Sequence, residues 1–281
     1  MQEEQPSQTA IMAAAARAAH LEVDQPPFIF RDTLAAPLLG DLAGELIGYH
    51  REHGDHVVLA GTRAQVAARS HYTEHRLTGA GPAQYVLLGA GLDTFAYRTG
   101  MTGVRAFEVD HPATQEWKRG LLAAAGLTPT ADLAFAPVDF ESDDLMTALR
   151  GAGFDESRPA LVSWLGVAMY LTRDAVAATF ATLSRLAPGS ELVMEYALPP
   201  ELRDERGHEY AAFALPAAAD RGEPWLTCFT PEGLSALLEK HGLAVAEHVR
   251  QADIDPSLWR RSDALRPADL CRLTRAVVPG A

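Results

Sequence analysis

The sequence predicts an α/β protein built on a Rossmann-like, doubly wound sheet of seven strands, mostly parallel, with the last strand pair antiparallel. Three observations carry this. Between residues 84 and 196, five short apolar runs alternate with helix-length amphipathic stretches, the pattern of buried parallel strands joined by helical crossovers. The first run leads straight into Gly89-Ala-Gly91, a strand-to-glycine-turn join. Two later runs, 243–249 and 270–278, are separated by Asp255-Pro256 and Trp259 rather than by a full helix, as an antiparallel pair closing the sheet requires.

Taken in order, residues 8–80 read as helices without an intervening strand. A helix is expected over 9–22, a turn at Pro26 and Pro27, a segment over 37–50, and a longer helix over 62–78 whose apolar positions follow a 3.6-residue period. The stretch from Met12 to Ala19 is expected to pack over the site entrance as a surface or lid helix, because alanine favours helix without deep burial. Strands are expected at 84–89, 105–109, 133–138, 160–165 and 190–196, with helices at 112–125, 143–151 and 172–187. Residues 198–224 are polar, carry Pro199, Pro200, Pro216 and Pro224, and are too long for an ordinary connection, so they read as a helical cap inserted after the fifth strand. Thr230 then caps a helix over 230–241 with Pro231 at its first position. Such sheets bind ligands at the carboxyl ends of their central strands.

Composition narrows the function classes. The chain has 281 residues, of which 48% are hydrophobic and 22% charged, enough apolar mass for one large domain and unlike a disordered or fibrous chain. Its net charge of −13 opposes a phosphate backbone, so nucleic acid is not an expected partner. Cys228 and Cys271 stand far apart in sequence with no ligand-spaced histidines, which argues against a metal site or a disulfide framework and for two core thiols. No apolar run reaches the roughly 18 residues of a membrane span, and Glu3 and Glu4 oppose a secretory signal. A cytoplasmic location is the expectation, while no oligomeric state follows.

The chemistry concentrates around the glycine turn. Gly89 and Gly91 let a ligand approach the backbone, and the segment after them offers free N–H groups. A dinucleotide fingerprint wants a third small residue three positions after the second glycine; here Leu92, Asp93 and Thr94 follow. Asp93 would repel a diphosphate but suits an ammonium group or its water, so a cationic, phosphate-free ligand such as S-adenosylmethionine fits better than NAD. Asp110 ends the second strand 19 residues after Gly91, the spacing of an acid that holds a ribose diol. Asp139 and Phe140 end the third, where an acid can accept from an adenine amino group while a ring packs on the base. Taken singly, Asp110 and Asp139 read equally well as helix caps.

With these residues in view, the chain resembles the leucine carboxyl methyltransferase family of class I S-adenosylmethionine-dependent methyltransferases. The likeness runs from about Phe28 onward. It rests on Phe30-Arg-Asp32-Thr-Leu-Ala, Ala68-Arg69-Ser70-His-Tyr, Leu88-Gly89-Ala-Gly91-Leu-Asp93-Thr, Phe107-Glu-Val-Asp110-His-Pro112, Val138-Asp139-Phe140, Gly166-Val-Ala-Met-Tyr170-Leu, and Gly222-Glu-Pro-Trp225 before Phe229-Thr-Pro231. It implies one class I methyltransferase domain over 1–281, divided into an N-terminal helical lid (1–80), a cofactor-binding core (84–196), a cap (197–229) and a completing segment (230–281). It further implies that Arg69 pairs with the methionine carboxylate of the cofactor, that Gly89 and Gly91 admit that moiety, that Asp110 holds the ribose, and that Asp139 and Phe140 hold the adenine. The segment 164–170, Leu165 included, would face the methyl-bearing sulfur. Many members carry Glu immediately before the Gly-Val-x-Met-Tyr-Leu motif, whereas this chain has Leu165.

Methyl transfer from a sulfonium needs alignment and exclusion of water before it needs an acid or base. Tyr170 is the candidate for orienting the acceptor, with packing under the cap as its plain alternative. Tyr196, His208 and the cap arginines Arg203, Arg206 and Arg221 are further candidates for acceptor contact. His71 and His75 lie one helical turn apart but without a third ligand, and read as helix surface. The expected activity is O-methylation of a small molecule, such as a secondary metabolite, at a carboxyl or a hydroxyl group. Two other readings stay open at this point: a nicotinamide-dependent oxidoreductase, and a cofactor-binding module without chemistry.

Overall fold

The computed structural model describes residues 7–280. Four helices come first: α1 (Gln8–Val23), α2 (Ala35–Leu39), α3 (Leu42–His53) and α4 (Val57–Ala80). The core follows as β1 (Gln84–Leu88), the short α5 (Phe95–Arg98), β2 (Arg105–Asp110), α6 (Pro112–Ala124), β3 (Asp132–Pro137), α7 (Leu145–Gly151), β4 (Ala160–Trp164), α8 (Arg173–Leu183) and β5 (Glu191–Ala197). The remainder comprises α9 (Glu205–Asp220), α10 (Pro231–Lys240), β6 (Ala244–Arg250) and β7 (Cys271–Val277).

Among the described residues the seven strands form one sheet in the order β3-β2-β1-β4-β5-β7-β6. The first five are parallel, and β7 runs antiparallel to both β5 and β6. The expected closing pair is thus present, but the last strand lies between the fifth and the sixth. The chain reverses direction at β1, whose neighbours β2 and β4 lead away to opposite sides, so the crevice for a ligand opens at its carboxyl end.

Alternation along β1 shows why both faces are covered. Val86 and Leu88 enter an apolar cluster with Leu149 of α7, Val176 and Phe180 of α8, and Leu234 and Leu238 of α10. Tyr85 and Leu87 enter the opposite cluster, with alanines of α1, Leu38 of α2, Phe95 of α5 and Leu122 of α6. Residues of a central strand buried on both sides read as a continuous apolar run, as Tyr85-Val-Leu-Leu does.

Helix ends follow the sequence signals. His111, Thr172 and Thr230 each accept a backbone N–H with the side chain at the start of α6, α8 and α10, and Pro occupies the first turn of α6 and α10. The expected helical segment over 37–50 is two helices, because Gly40 adopts φ = 55° between them. The depth of α1 differs more. Ala14, Ala15, Ala16, Ala18 and Ala19 are buried. Lacking bulk, alanine also lets helices approach closely, and that effect prevails over its weak hydrophobicity here.

Beneath α1 lies a polar network. Arg63 of α4 forms a two-pronged pair with Asp24 and bonds the Gly54 carbonyl and His50, while His20 bonds Asp24 and accepts the N–H of Ile29. Burial and the neighbouring Arg63 lower the His50 pKa to about 4, keeping that ring neutral, as a buried cation beside a guanidinium would be costly.

Candidate functional site

The glycine turn is stitched to the next strand. The N–H groups of Gly89 and Ala90 both donate to the Val109 carbonyl, at 2.8 and 3.1 Å. Gly89 and Gly91 adopt φ = 69° and 47°, the left-handed region that other residues enter only at a cost. A Cβ on Gly89 would lie 2.2 Å from Cγ2 of Val167, and one on Gly91 would lie 3.1 Å from Cβ of Ala10. The turn is therefore flanked by the loop after β4 on one side and by α1 on the other.

Asp110 closes this turn from β2. Its Oδ2 accepts the Gly91 N–H at 2.6 Å, and its Oδ1 accepts the N–H of His111 at 2.7 Å. Burial raises its pKa above the ordinary carboxylate value, against the lowering effect of the two N–H donors. Asp93 is half-buried and accepts the Phe95 N–H at 2.7 Å, so its carboxylate caps the start of α5. Asp139 accepts the N–H of Glu141, and its own N–H donates to Asp143. Phe140 is half-buried with its ring 6.1 Å from that of Trp164 at the end of β4. Because Val138 N–H donates to the Asp110 carbonyl and Leu88 pairs in register with Trp164, these residues share one edge of the sheet.

The loop after β4 brings in the rest. Leu165 and Gly166 are half-buried, and Gly166 has φ = 71°. The Arg69 guanidinium lies against it, with Nη1 2.5 Å and Nη2 2.9 Å from where a Cβ would stand. Nη1 of Arg69 donates to Oε2 of Glu195 on β5, whose other oxygen accepts from Gln65 at 2.9 Å. Tyr170 follows in a single 3-10 turn and meets Trp225 edge-on, ring centres 6.4 Å apart. Burial raises the Tyr170 hydroxyl well above its usual pKa.

Several acceptor candidates lie elsewhere. Tyr196 is buried on the opposite face of β5, its hydroxyl 2.9 Å from Nδ1 of His248, whose Nε2 meets the Ser235 hydroxyl. His208 is exposed on α9, and Arg203 donates to the Leu198 carbonyl. Phe229 is buried, as an anchor of the cap should be. His71 and His75 stack with ring centres 6.2 Å apart, and no cluster of metal-ligating side chains occurs among the described residues. Cys271 is buried and Cys228 half-buried.

Sequence reasoning missed five participants. Glu195 sits inside the apolar run Leu192-Val-Met-Glu-Tyr, where a lone acid was a usable signal. Val167 and Ala10 act by bulk alone and carry none. Arg17 donates to the Leu92 carbonyl at 2.6 Å and to Asp32, and Glu223 accepts the Thr9 N–H at 3.0 Å, so α1 reaches both the glycine turn and the cap segment. A cavity of about 480 Å³ lies by Pro82, Pro159 and Gly189 at the other end of the strands and holds none of these residues.

The family model for leucine carboxyl methyltransferase matches residues 10–184. The chain belongs to the leucine carboxyl methyltransferase family. Along 99% of both chains it is 32% identical to YktD of Bacillus subtilis, named by inference as an S-adenosylmethionine-dependent methyltransferase. Its fold is shared with a DUF574 family protein of Streptomyces avermitilis (TM-score 0.62, 18% identity, 94% of this chain and 97% of that one). It is also shared with a protein of Thermobifida fusca described by inference as a methyltransferase (TM-score 0.58, 22% identity, 87% and 92%). This member of the family is accordingly an S-adenosylmethionine-dependent methyltransferase, which displaces the nicotinamide oxidoreductase and the inert binding module as readings. No helix among the described residues is long and apolar enough to cross a membrane.

Proposed function

We propose that the enzyme methylates an oxygen of a small organic acceptor, such as a secondary metabolite, in the cytoplasm, with a carboxylate preferred to a hydroxyl. The observation that carries this reading is Tyr170. It is the phenol that ends the segment 164–170, which in this reading faces the sulfonium, and burial keeps it protonated. A protonated phenol donates a hydrogen bond and takes no proton, which suits an acceptor that arrives ionised. His208 lies exposed on α9, and the Tyr196 hydroxyl is engaged with His248.

The cofactor supplies an electrophilic methyl group on sulfur. The residues present fit it: Gly166 leaves the space that the Arg69 guanidinium fills, and the glycine turn has a carboxylate but no third glycine. In this reading Arg69 binds the methionine carboxylate, and Gly89, Gly91 and Leu165 leave room for the methionine arm. Asp93 shapes the turn and biases it toward a cation, Asp110 takes the ribose hydroxyls, and Asp139 with Phe140 takes the adenine. Residues 1–80 serve as lid, 84–196 as cofactor core, 197–229 as cap and 230–281 as completion of a single domain.

Transfer of labelled methyl from S-adenosylmethionine to a panel of carboxylic acids and phenols tests this. Methyl esters release methanol in alkali and aryl ethers do not. Alkali-labile product supports the proposal; product stable to alkali overturns the carboxylate preference.

A further inference from the structure

We propose that Glu195 is a positioning residue for the methionine end of the cofactor, holding the Arg69 guanidinium against Gly166 so that its remaining donors face the ligand carboxylate. The proposal deepens the reading above and rests on its assignment of Arg69.

Glu195 is 2% exposed near the carboxyl end of β5. A carboxylate so buried is costly unless every oxygen is bonded, and both are: Oε1 by Gln65 and Oε2 by Arg69. Gln65 and Arg69 stand one turn apart on the same face of α4. Docking of α4 does not depend on this pair, since Arg76 grips Glu191 further along β5, Tyr72 bonds Glu247 of β6, and Ala64, Ala67 and Ala68 pack against Ile29 and Leu265.

Exposure orders the pair. The Arg69 side chain is 15% exposed and that of Glu195 only 3%, so the acid stands behind the base. Only Nη1 of Arg69 is engaged among the described residues, leaving Nε and Nη2 as donors. A guanidinium held by one arm in advance loses less freedom when the other engages a carboxylate.

Register supplies an independent line. Trp164 of β4 pairs with Met194 of β5, so continuing by one residue sets Glu195 beside Leu165. The carboxylate therefore enters from the strand next to the loop that carries Gly166, behind Arg69.

Calorimetric titration separates this role from a general one. S-adenosylhomocysteine carries the amino-acid arm, whereas 5′-methylthioadenosine lacks it. Glu195→Gln, which keeps shape and removes charge, is expected to weaken S-adenosylhomocysteine about tenfold, a loss of about 1.4 kcal/mol, and to leave 5′-methylthioadenosine within about twofold of the parent protein. Arg69→Ala is expected to show the same selective loss. Weakening by Arg69→Ala but not by Glu195→Gln overturns the role of Glu195 alone; no effect of Arg69→Ala overturns the Arg69 assignment and this proposal with it. Parallel loss of both ligands in Glu195→Gln makes the residue merely structural. Should Glu195→Gln fail to fold, Gln65→Ala replaces it, with a severalfold loss for S-adenosylhomocysteine alone as the supporting result and unchanged binding as the overturning one.

Discussion

The carboxylate of Asp110 accepts the backbone N–H of Gly91 at 2.6 Å, so the end of the second strand and the turn after the first are one unit. A residue proposed to hold ribose hydroxyls also sets the shape of the loop that admits the methionine arm. Asp110→Asn retains a carbonyl oxygen for Gly91 and is expected to fold. Its affinity for S-adenosylhomocysteine is expected to fall about tenfold or more, because hydrogen bonds to a charged group contribute about 1.5–3 kcal/mol. Calorimetry decides, and unchanged affinity removes Asp110 from the cofactor site.

Gly89→Ala introduces two costs. A left-handed alanine costs about 1–2 kcal/mol, and its methyl collides with Val167, adding about 1–3 kcal/mol of overpacking. Gly91→Ala has the first cost and a milder contact with Ala10, so it is expected to be the more stable of the two in urea unfolding. Adding Val167→Ala to Gly89→Ala should recover the collision but not the backbone cost. If the second substitution only lowers stability further, the close approach of Val167 is not what makes glycine necessary.

Tyr170→Phe leaves the ring against Trp225 and removes one donor. The expected result is a fall in kcat of about 10- to 100-fold, matching a lost charge-assisted hydrogen bond of about 1.5–3 kcal/mol, with cofactor affinity and melting temperature unchanged. Wild-type turnover would reduce Tyr170 to packing.

Glu74 and Glu108 give a pH signature. Burial pushes both carboxyls from about 4.5 to about 7, outweighing Arg98 beside the first and Lys118 beside the second. A carboxyl whose pKa is higher folded than unfolded binds protons more tightly in the native state. Its stabilising contribution is therefore full below about pH 4.5 and lost as pH rises through about 7. Unfolding free energies measured across this window should show a downward component that Glu108→Gln reduces. An identical slope in the variant would mean that Glu108 does not titrate there.

Much of the fold was legible because parallel strands buried on both faces read as plain apolar runs, and each of the five is found within a residue or two of its expected bounds. Placement of β7 between β5 and β6 was not legible, since apolar alternation reports burial and not which edge a strand joins. The depth of α1 was hidden because alanine suits an exposed helix and a tightly packed one alike. At the site, the 19-residue step from Gly91 to Asp110 became a direct contact, whereas the Arg69–Glu195 pairing spans 126 residues and depends on the docking of α4 across the sheet.

The bond from Thr9 to Glu223 joins residues 214 positions apart. It fastens the segment that stands over Gly91 to the segment that carries Trp225, the partner of Tyr170. Removing the Glu223 carboxylate is therefore expected to loosen the start of α1 and the cap segment together.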